Sequence, residues 1–313
     1  MRTNIHLAIV QESPVYLNLP LSLEKAEILV KEAAGQGAEL IVFGETWLCG
    51  YPAWLDYCPE VALWNHEPVK HVFSRMHQNA VTVPGEAVGF LSNLAKTHRA
   101  VIAVGVCEAV QEGLGSGTLY NSFLLFDATG ELVIHHRKLM PTFSEKLIFG
   151  LGDARGLRSV ETAVGKIGGL ICWEHFMPLA RQALHNCGEL IHLALFPSVH
   201  EMHQVASRQY AFEGRCFVIA AGQMMRVKDI PPELEVPENL RNEPEDWLLN
   251  GGSCVIAPDG FYDLKPQFGK EKIVYHTMSD LDHVRRERLT LDVSGHYSRP
   301  DIFKFEVAVS SGR

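Results

Sequence analysis

Gly168-Gly169-Leu170-Ile171-Cys172-Trp173-Glu174-His175 reads as the end of a buried strand turning toward a helix. The apolar run Ile167 to Ile171 stops at a cysteine, and the helical pattern Met177 to Asn186 follows. A thiol at such a corner points into the space above the sheet, where the unpaired N–H groups of a helix start favour the thiolate. The two glycines let the backbone pass close to other elements or to a substrate. The default reading of a free cysteine is a buried packing residue. The glycine pair before Cys172 and the Trp-Glu-His after it argue for a reactive one, and two further segments decide the matter.

Outward from this corner the same alternation of apolar runs and helical stretches continues in both directions. Strands are expected over Ile5 to Gln11, Leu40 to Gly44, Ala100 to Val106, Asn121 to Asp127, Leu132 to His136, Lys166 to Cys172, Leu190 to Phe196, Phe217 to Gly222 and Ser253 to Ala257. Helices are expected over Leu21 to Gln36, Ala87 to His98, Met177 to Asn186, His203 to Arg215 and Asp280 to Arg288. Asp127-Ala128-Thr129-Gly130 and Pro258-Asp259-Gly260 carry turn chemistry between strands. The pattern implies an α/β protein, two sheets in one domain over 1–313, with helices on the outer faces. Ala53 to Asn79, rich in Trp, His and Pro, and Val227 to Trp247, with Pro231, Pro232, Pro237 and Pro244, break the alternation and read as extended surface loops.

The first deciding segment is Gly37 to Pro52, in which the apolar run Leu40 to Gly44 ends at Glu45 and Gly50-Tyr51-Pro52 closes a turn. A carboxylate at a strand end beside apolar neighbours is desolvated, which raises its pKa toward the range where a general base works at neutral pH. The second is His135 to Glu145, which puts Lys138 just after a strand and another carboxylate, Glu145, seven residues on. Singly, Glu45 and Lys138 read as surface charges. Together with Cys172 they supply a base, a cation and a nucleophile, each at a strand terminus.

On these three segments the chain resembles the nitrilase superfamily, the carbon–nitrogen hydrolases with a Glu-Lys-Cys triad. Cys172-Trp173-Glu174-His175 and Gly295-His296-Tyr297-Ser298-Arg299-Pro300-Asp301 resemble its true nitrilase branch. One departure is Lys146-Leu147-Ile148-Phe149-Gly150, where many nitrilases carry arginine and tryptophan. The resemblance implies a four-layer αββα sandwich of the nitrilase/carbon–nitrogen hydrolase type. It also implies hydrolysis of an organic nitrile to the carboxylic acid and ammonia, with no metal or organic cofactor. Cys172 then forms the thioimidate and thioester, Glu45 activates thiol and water, and Lys138 with the Trp173 N–H stabilises the tetrahedral intermediates. Glu145 is expected to orient Lys138, the alternative being a helix-cap or salt-bridge carboxylate. Tyr51 and Trp173 are candidate pocket walls, with core packing as the alternative. Glu174 is expected to be structural, paired with an Arg or His, and His175 to cap or pack.

Composition bounds the alternatives. A 47% hydrophobic chain of 313 residues buries a large core, and a net charge of −9 without a Lys/Arg block argues against a nucleic-acid surface. Ile5 to Val10 is too short for a signal-peptide core, and no run approaches a membrane span. Seven scattered cysteines with no Cys-x-x-Cys pair fit a reducing cytoplasm. Three rival readings are a metal site among the 15 histidines, an amidase or nitrile hydratase using the same triad, and a non-catalytic scaffold. Against the first, His-Glu-x-x-His spacing is missing. The resemblance further implies a homodimer or larger homo-oligomer, up to a spiral. Met177 to Asn186 and His203 to Arg215 are its candidate pairing helices, with Trp54, Tyr57, Trp64 and Trp247 as aromatic anchors in the two irregular segments.

Overall fold

In the computed structural model, which describes residues 4–308, the apolar runs form two sheets lying face to face. The strands are β1 Asn4–Gln11, β2 Leu40–Phe43, β3 Val101–Ala109, β4 Leu119–Phe126, β5 Leu132–Arg137, β6 Val160–Thr162 and β7 Gly165–Ile171. After them come β8 Ile191–Leu195, β9 Phe217–Ala221, β10 Met224–Arg226, β11 Trp247–Ile256, β12 Tyr262–Phe268 and β13 Lys272–Ser279. The helices are α1 Leu19–Gly35, α2 Trp54–Tyr57, α3 Glu67–Gln78, α4 Glu86–His98, α5 Pro178–Cys187, α6 Glu201–Gly214, α7 Glu238–Arg241 and α8 His283–Glu287. One sheet has the order β13-β1-β2-β3-β4-β5, and the other β10-β11-β9-β8-β7-β6 with β12 on β11.

The central strands of each sheet are parallel, β1-β2-β3 in one and β7-β8-β9 in the other. Strands covered on both faces need apolar sequence, which Leu40–Phe43 and Phe217–Ala221 supply unbroken and Ile191–Leu195 supplies apart from His192. Ala26, Leu29 and Val30 of α1 and Leu91 and Leu94 of α4 cover the outer face of the first sheet over Ile41, Phe43, Ile102 and Val104. Leu7, Ile9, Val42, Ala103 and Phe123 join Leu170, Leu193, Ile219 and Val255 in a larger cluster that includes Ala180 and Leu184 of α5 and Tyr210 of α6. The order of layers is therefore helix, sheet, sheet, helix, the expected αββα sandwich.

Three sequence expectations are corrected. Residues 53–79 are not an extended loop: they hold α2, a 3-10 turn Pro59–Ala62 and α3. Helix α3 has Pro at its first turn with Glu67, and Arg75 and His77 in its last, favourable termini that the Trp/His/Pro-rich composition obscured. Trp54, expected as an interface anchor, is buried here with Val72, Met76 and Leu234, whereas Trp64 stands almost wholly in solvent. Strands β12, paired with β11, and β13, paired with β1 in the other sheet, went unread because both are half-exposed edge strands and β12 carries Pro266. The last helix is only His283–Glu287, shorter than the expected 280–288. Residues 227–247 are mostly irregular, as expected. The Gly295–Asp301 motif lies in an exposed C-terminal segment where Arg299 pairs with Asp301 at 2.6 Å. Met1 to Thr3, part of the leader reading, lie outside the described residues.

All seven cysteines are unpaired. Among the described residues no helix is long and apolar enough to cross a membrane.

Candidate active site

Glu45 leaves the end of β2 in a turn pressed against β3. Gly105 permits this, because a Cβ there would lie 2.3 Å from the Thr46 nitrogen and 2.4 Å from the Gly44 oxygen. The Gly105 N–H donates to Gly44 O at 3.1 Å, and Leu48 N donates back to Gly105 O at 3.1 Å. Thr46 adopts a left-handed φ of 47°, an uncommon conformation for a non-glycine residue and one that clusters at functional sites. The Glu45 side chain is buried. Its Oε1 accepts from Asn121 Nδ2 at 2.6 Å and from Lys138 Nζ at 2.7 Å. Its Oε2 accepts no bond of regular geometry. Burial pushes the Glu45 carboxyl up, Lys138 and Asn121 pull it back, and it settles at about 7.

Lys138 follows β5 directly, fixed by its N–H to Asn121 O at 2.8 Å. Its ammonium bridges Glu45 and Glu145, the latter at 2.7 Å to Oε2 and 2.9 Å to Oε1. Burial alone would lower its pKa, but Glu45, Cys172 and Glu145 raise it above the ordinary lysine value. Lys138 is therefore a fixed cation. Glu145 pairs with it and also caps the 3-10 turn Phe143–Leu147, accepting from Thr142 N at 2.9 Å. Tyr51 OH donates to Glu145 Oε1 at 2.8 Å, which places Tyr51 inside the charged cluster.

Cys172 begins a 3-10 turn, Cys172–Phe176, after β7 and has a left-handed φ of 48°. The first N–H groups of such a turn, that of Trp173 included, have no partner within it and face outward. The expected thiolate does not form at rest. Burial first, and then the Glu45 carboxylate, push the Cys172 thiol well above its ordinary value, outweighing Lys138. The resting arrangement is a neutral thiol beside a carboxylate poised to take its proton.

Glu174 ties the lysine and cysteine segments together. Its Oε1 accepts from Leu139 N and its Oε2 from Ile171 N, each at 2.7 Å, while His136 Nε2 lies 3.0 Å from both oxygens. This is the expected pairing with a histidine. Burial raises the Glu174 carboxyl, but His136 and the two backbone donors outweigh it and hold it below its ordinary value. Glu174→Gln turns an NH2 group toward one of the two N–H donors, leaving a buried clash of donors. We expect it to destabilise the protein by about 1–3 kcal/mol in urea unfolding at unchanged m-value. A change under about 0.5 kcal/mol would contradict this role for Glu174.

Trp173 is half exposed and packs against Phe176 and His203, with ring centroids at 4.9 and 5.6 Å. With Met140, Pro141, Thr142, Phe143, Lys146 and Met177 it lines a depression of about 390 Å³, which Cys172, Glu45 and Lys138 do not themselves line. His175 does not face the sulfur. Its Nδ1 donates to Cys172 O at 2.8 Å, a packing and anchoring role. Two residues missed by sequence reasoning hold Glu45 in place. Asn121, a polar residue opening an apolar strand, offered a signal, whereas Gln223, which donates to Glu45 O, offered none. Among the described residues no group of three His, Cys, Asp or Glu side chains is arranged to hold a metal ion.

A family model described as carbon-nitrogen hydrolase matches residues 6–286. The chain is 38% identical over 304 residues to "Nitrilase 2" of an unknown prokaryotic organism, covering 97% of this chain and 92% of that protein. It is 37% identical over 309 residues to "Bifunctional nitrilase/nitrile hydratase NIT4A" of Lupinus angustifolius, covering 97% and 86%. The solved structure of a carbon-nitrogen hydrolase from Helicobacter pylori G27 superposes with a TM-score of 0.74 at 20% identity, covering 96% of this chain and 97% of that one.

Proposed function

The chain belongs to the carbon–nitrogen hydrolase family, and we propose that within it the protein is a nitrilase, hydrolysing an organic nitrile to the carboxylic acid and ammonia. The observation that carries the chemistry is the buried Glu45–Lys138–Glu145 cluster against the Cys172 thiol. Glu45 takes the thiol proton as sulfur attacks the nitrile carbon. The S–C bond forms, one C≡N π bond breaks, and nitrogen gains the electron pair and a proton from Glu45. The product is a thioimidate. Water then adds to its carbon, giving a proton to Glu45, and the tetrahedral adduct is stabilised by the Lys138 cation and the Trp173 N–H. The C–N bond breaks as nitrogen is protonated, ammonia leaves, and a thioester remains. A second water, activated in the same way, adds to the thioester carbon, and the C–S bond breaks to release the acid and restore the thiol.

The apolar side chains Met140, Pro141, Phe143, Trp173 and Met177 line a depression that adjoins the nucleophile in sequence through Trp173, and they suit the organic part of such a substrate. The proposed chemistry requires no metal or organic cofactor. A second reading is favoured by the similarity to a bifunctional nitrilase/nitrile hydratase: if the tetrahedral adduct expels sulfur in place of ammonia, the product is the amide. Ammonia release measured over aliphatic, arylaliphatic and aromatic nitriles and their amides, with acid and amide quantified, tests both. Acid and ammonia in equal amounts support the nitrilase, amide alone supports the hydratase, and turnover of amides only would sink both.

We also propose that the protein works as a homodimer or larger homo-oligomer, with α5 and α6 as the pairing surface. These helices expose Leu179, Met202, Val205 and Phe212 on one side of the sandwich. Exposed Trp64 is suited to further, spiral-forming contacts. Leu179→Asp with Phe212→Asp is expected to give monomers in light scattering and to lower activity, because α5 begins just after the Cys172 turn. A wild-type protein that is monomeric and fully active at assay concentration would overturn this. The unpaired cysteines fit a cytoplasmic setting.

A further inference from the structure

A second set of buried polar side chains leads from Cys172 into the other face of its sheet, and the chemistry above does not use it. His175 Nδ1 lies 2.8 Å from Cys172 O, and His175 Nε2 lies 3.0 Å from His192 Nε2. His192 Nδ1 lies 3.1 Å from Glu189 Oε2, and Tyr210 OH donates to Glu189 Oε1. All four side chains are buried. The fit at the far end is close, since a Cβ on Gly168 of β7 would lie 2.2 Å from Glu189 Oε2.

Donor and acceptor rules fix the protons along this chain. A carbonyl only accepts, so His175 Nδ1 carries hydrogen and, in the neutral ring, Nε2 is a bare acceptor. His192 Nε2 must then donate, which leaves His192 Nδ1 bare. With both rings neutral, only a protonated Glu189 can satisfy that nitrogen. Removing the Glu189 proton breaks the chain wherever the remaining hydrogens are placed. If His192 turns its hydrogen toward Glu189, two bare nitrogens face each other across the His175–His192 contact.

We propose that Glu189 is a positioning residue: as a neutral carboxylic acid it donates to His192 and, through His192 and His175, holds the Cys172 carbonyl and hence the angle of the thiol. This deepens the regulation of the nitrilase site and rests on that reading for its effect on turnover. Burial supports the assignment by pushing the Glu189 carboxyl up to about 7, against His185 and Tyr210, and by pushing His175 down to about 3 and His192 well below its ordinary value. The titratable groups around Glu189 are His192 of β8, His185 of α5 at 4.0 Å, Tyr210 of α6, and the Cys216 thiol after α6, itself pushed up by burial and by Glu189. No Lys or Arg forms an ion pair with Glu189 among the described residues.

The test compares assembled wild-type protein with Glu189→Gln, Glu189→Leu and His192→Phe across neutral pH. Two readouts are taken: kcat/KM for the preferred nitrile, and the rate at which iodoacetamide alkylates Cys172, followed by peptide mass. Glutamine reproduces the neutral acid, its NH2 donating to His192 and its carbonyl accepting from Tyr210. Glu189→Leu and His192→Phe are expected to lose about 10²-fold in kcat/KM, the cost of misplacing a nucleophile by about an ångström. Glu189→Gln is expected to recover most of that loss. Wild type is expected to decline above about pH 7 as Glu189 loses its proton, a decline that Glu189→Gln lacks. Equal damage in Glu189→Gln and Glu189→Leu, or an unchanged alkaline decline in Glu189→Gln, would overturn the proposal. If Glu189→Leu fails to fold, the profile of Glu189→Gln still decides. If even wild type hydrolyses no nitrile, the nitrilase reading fails, and the relay stands or falls on the same pattern in Cys172 alkylation.

Discussion

Cys172→Ala is expected to abolish nitrile hydrolysis while leaving the fold and its unfolding midpoint close to wild type. Removing the sulfur removes the atom on which both proposed covalent intermediates form, so no slower version of the same pathway remains. The side chain is small and already buried, and alanine leaves only a minor void at the margin of the core cluster to which Cys172 belongs. Other cysteines cannot substitute, since each is fixed elsewhere in the sandwich and none joins the Glu45–Lys138 cluster. Ammonia release by Cys172→Ala at a rate comparable to wild type would exclude the thiol as nucleophile.

The second large effect is expected at the two charged partners. Glu45→Gln preserves the shape of the side chain but removes the base that must accept the Cys172 proton, and the thiol is held neutral at rest. Lys138→Met removes the cation that bridges Glu45 and Glu145, leaving two buried carboxylates face to face without a counter-charge. Each is expected to lower kcat by at least about 10²- to 10³-fold. The double variant should be little worse than the poorer single one, because the groups act as a unit. The pH dependence follows from the same carboxyl. Glu45 works as a base only when ionised, so the acid limb of kcat/KM should rise with pH toward about 7, before the decline tied to Glu189, and Glu45→Gln should lose that rise. Activity within tenfold of wild type for either single variant would remove that residue from the proposed triad.

How much of this was legible in the sequence depends on whether the interacting groups lie at strand ends or across the sandwich. Glu45, Lys138 and Cys172 were readable because each closely follows a strand, and the ends of β2 and β5 in one sheet and of β7 in the other meet at the site. Glu145 was readable as a carboxylate near Lys138 in sequence, though its simultaneous capping of the Phe143–Leu147 turn was not. Gln223 was out of reach because it supports Glu45 across 178 residues of sequence, with no periodicity linking them. Glu189, His192 and Tyr210 look like ordinary polar positions until β7, β8 and α6 are stacked, and only then do their hydrogen-bonding demands meet. The misread elements share a cause as well. Helix α3 and the edge strands β12 and β13 cover one side only, so their apolar patterns are thin and turn-like residues dominate the reading.

The helix-start argument for a thiolate failed for a physical reason. A one-turn 3-10 element supplies only a small dipole, while a carboxylate in side-chain contact with the sulfur acts directly and in a dry environment. Activation of Cys172 therefore belongs to Glu45, whose burial holds its proton affinity near neutrality.

The account is tested most directly by the mass of the protein during turnover. Wild type mixed with a good nitrile and quenched in acid should carry an adduct of the mass of the thioimidate or the thioester, located on the peptide containing Cys172, with ammonia and carboxylic acid accumulating together. Turnover with no covalent species on Cys172 at any quench time, and undiminished by Cys172→Ala, would contradict it.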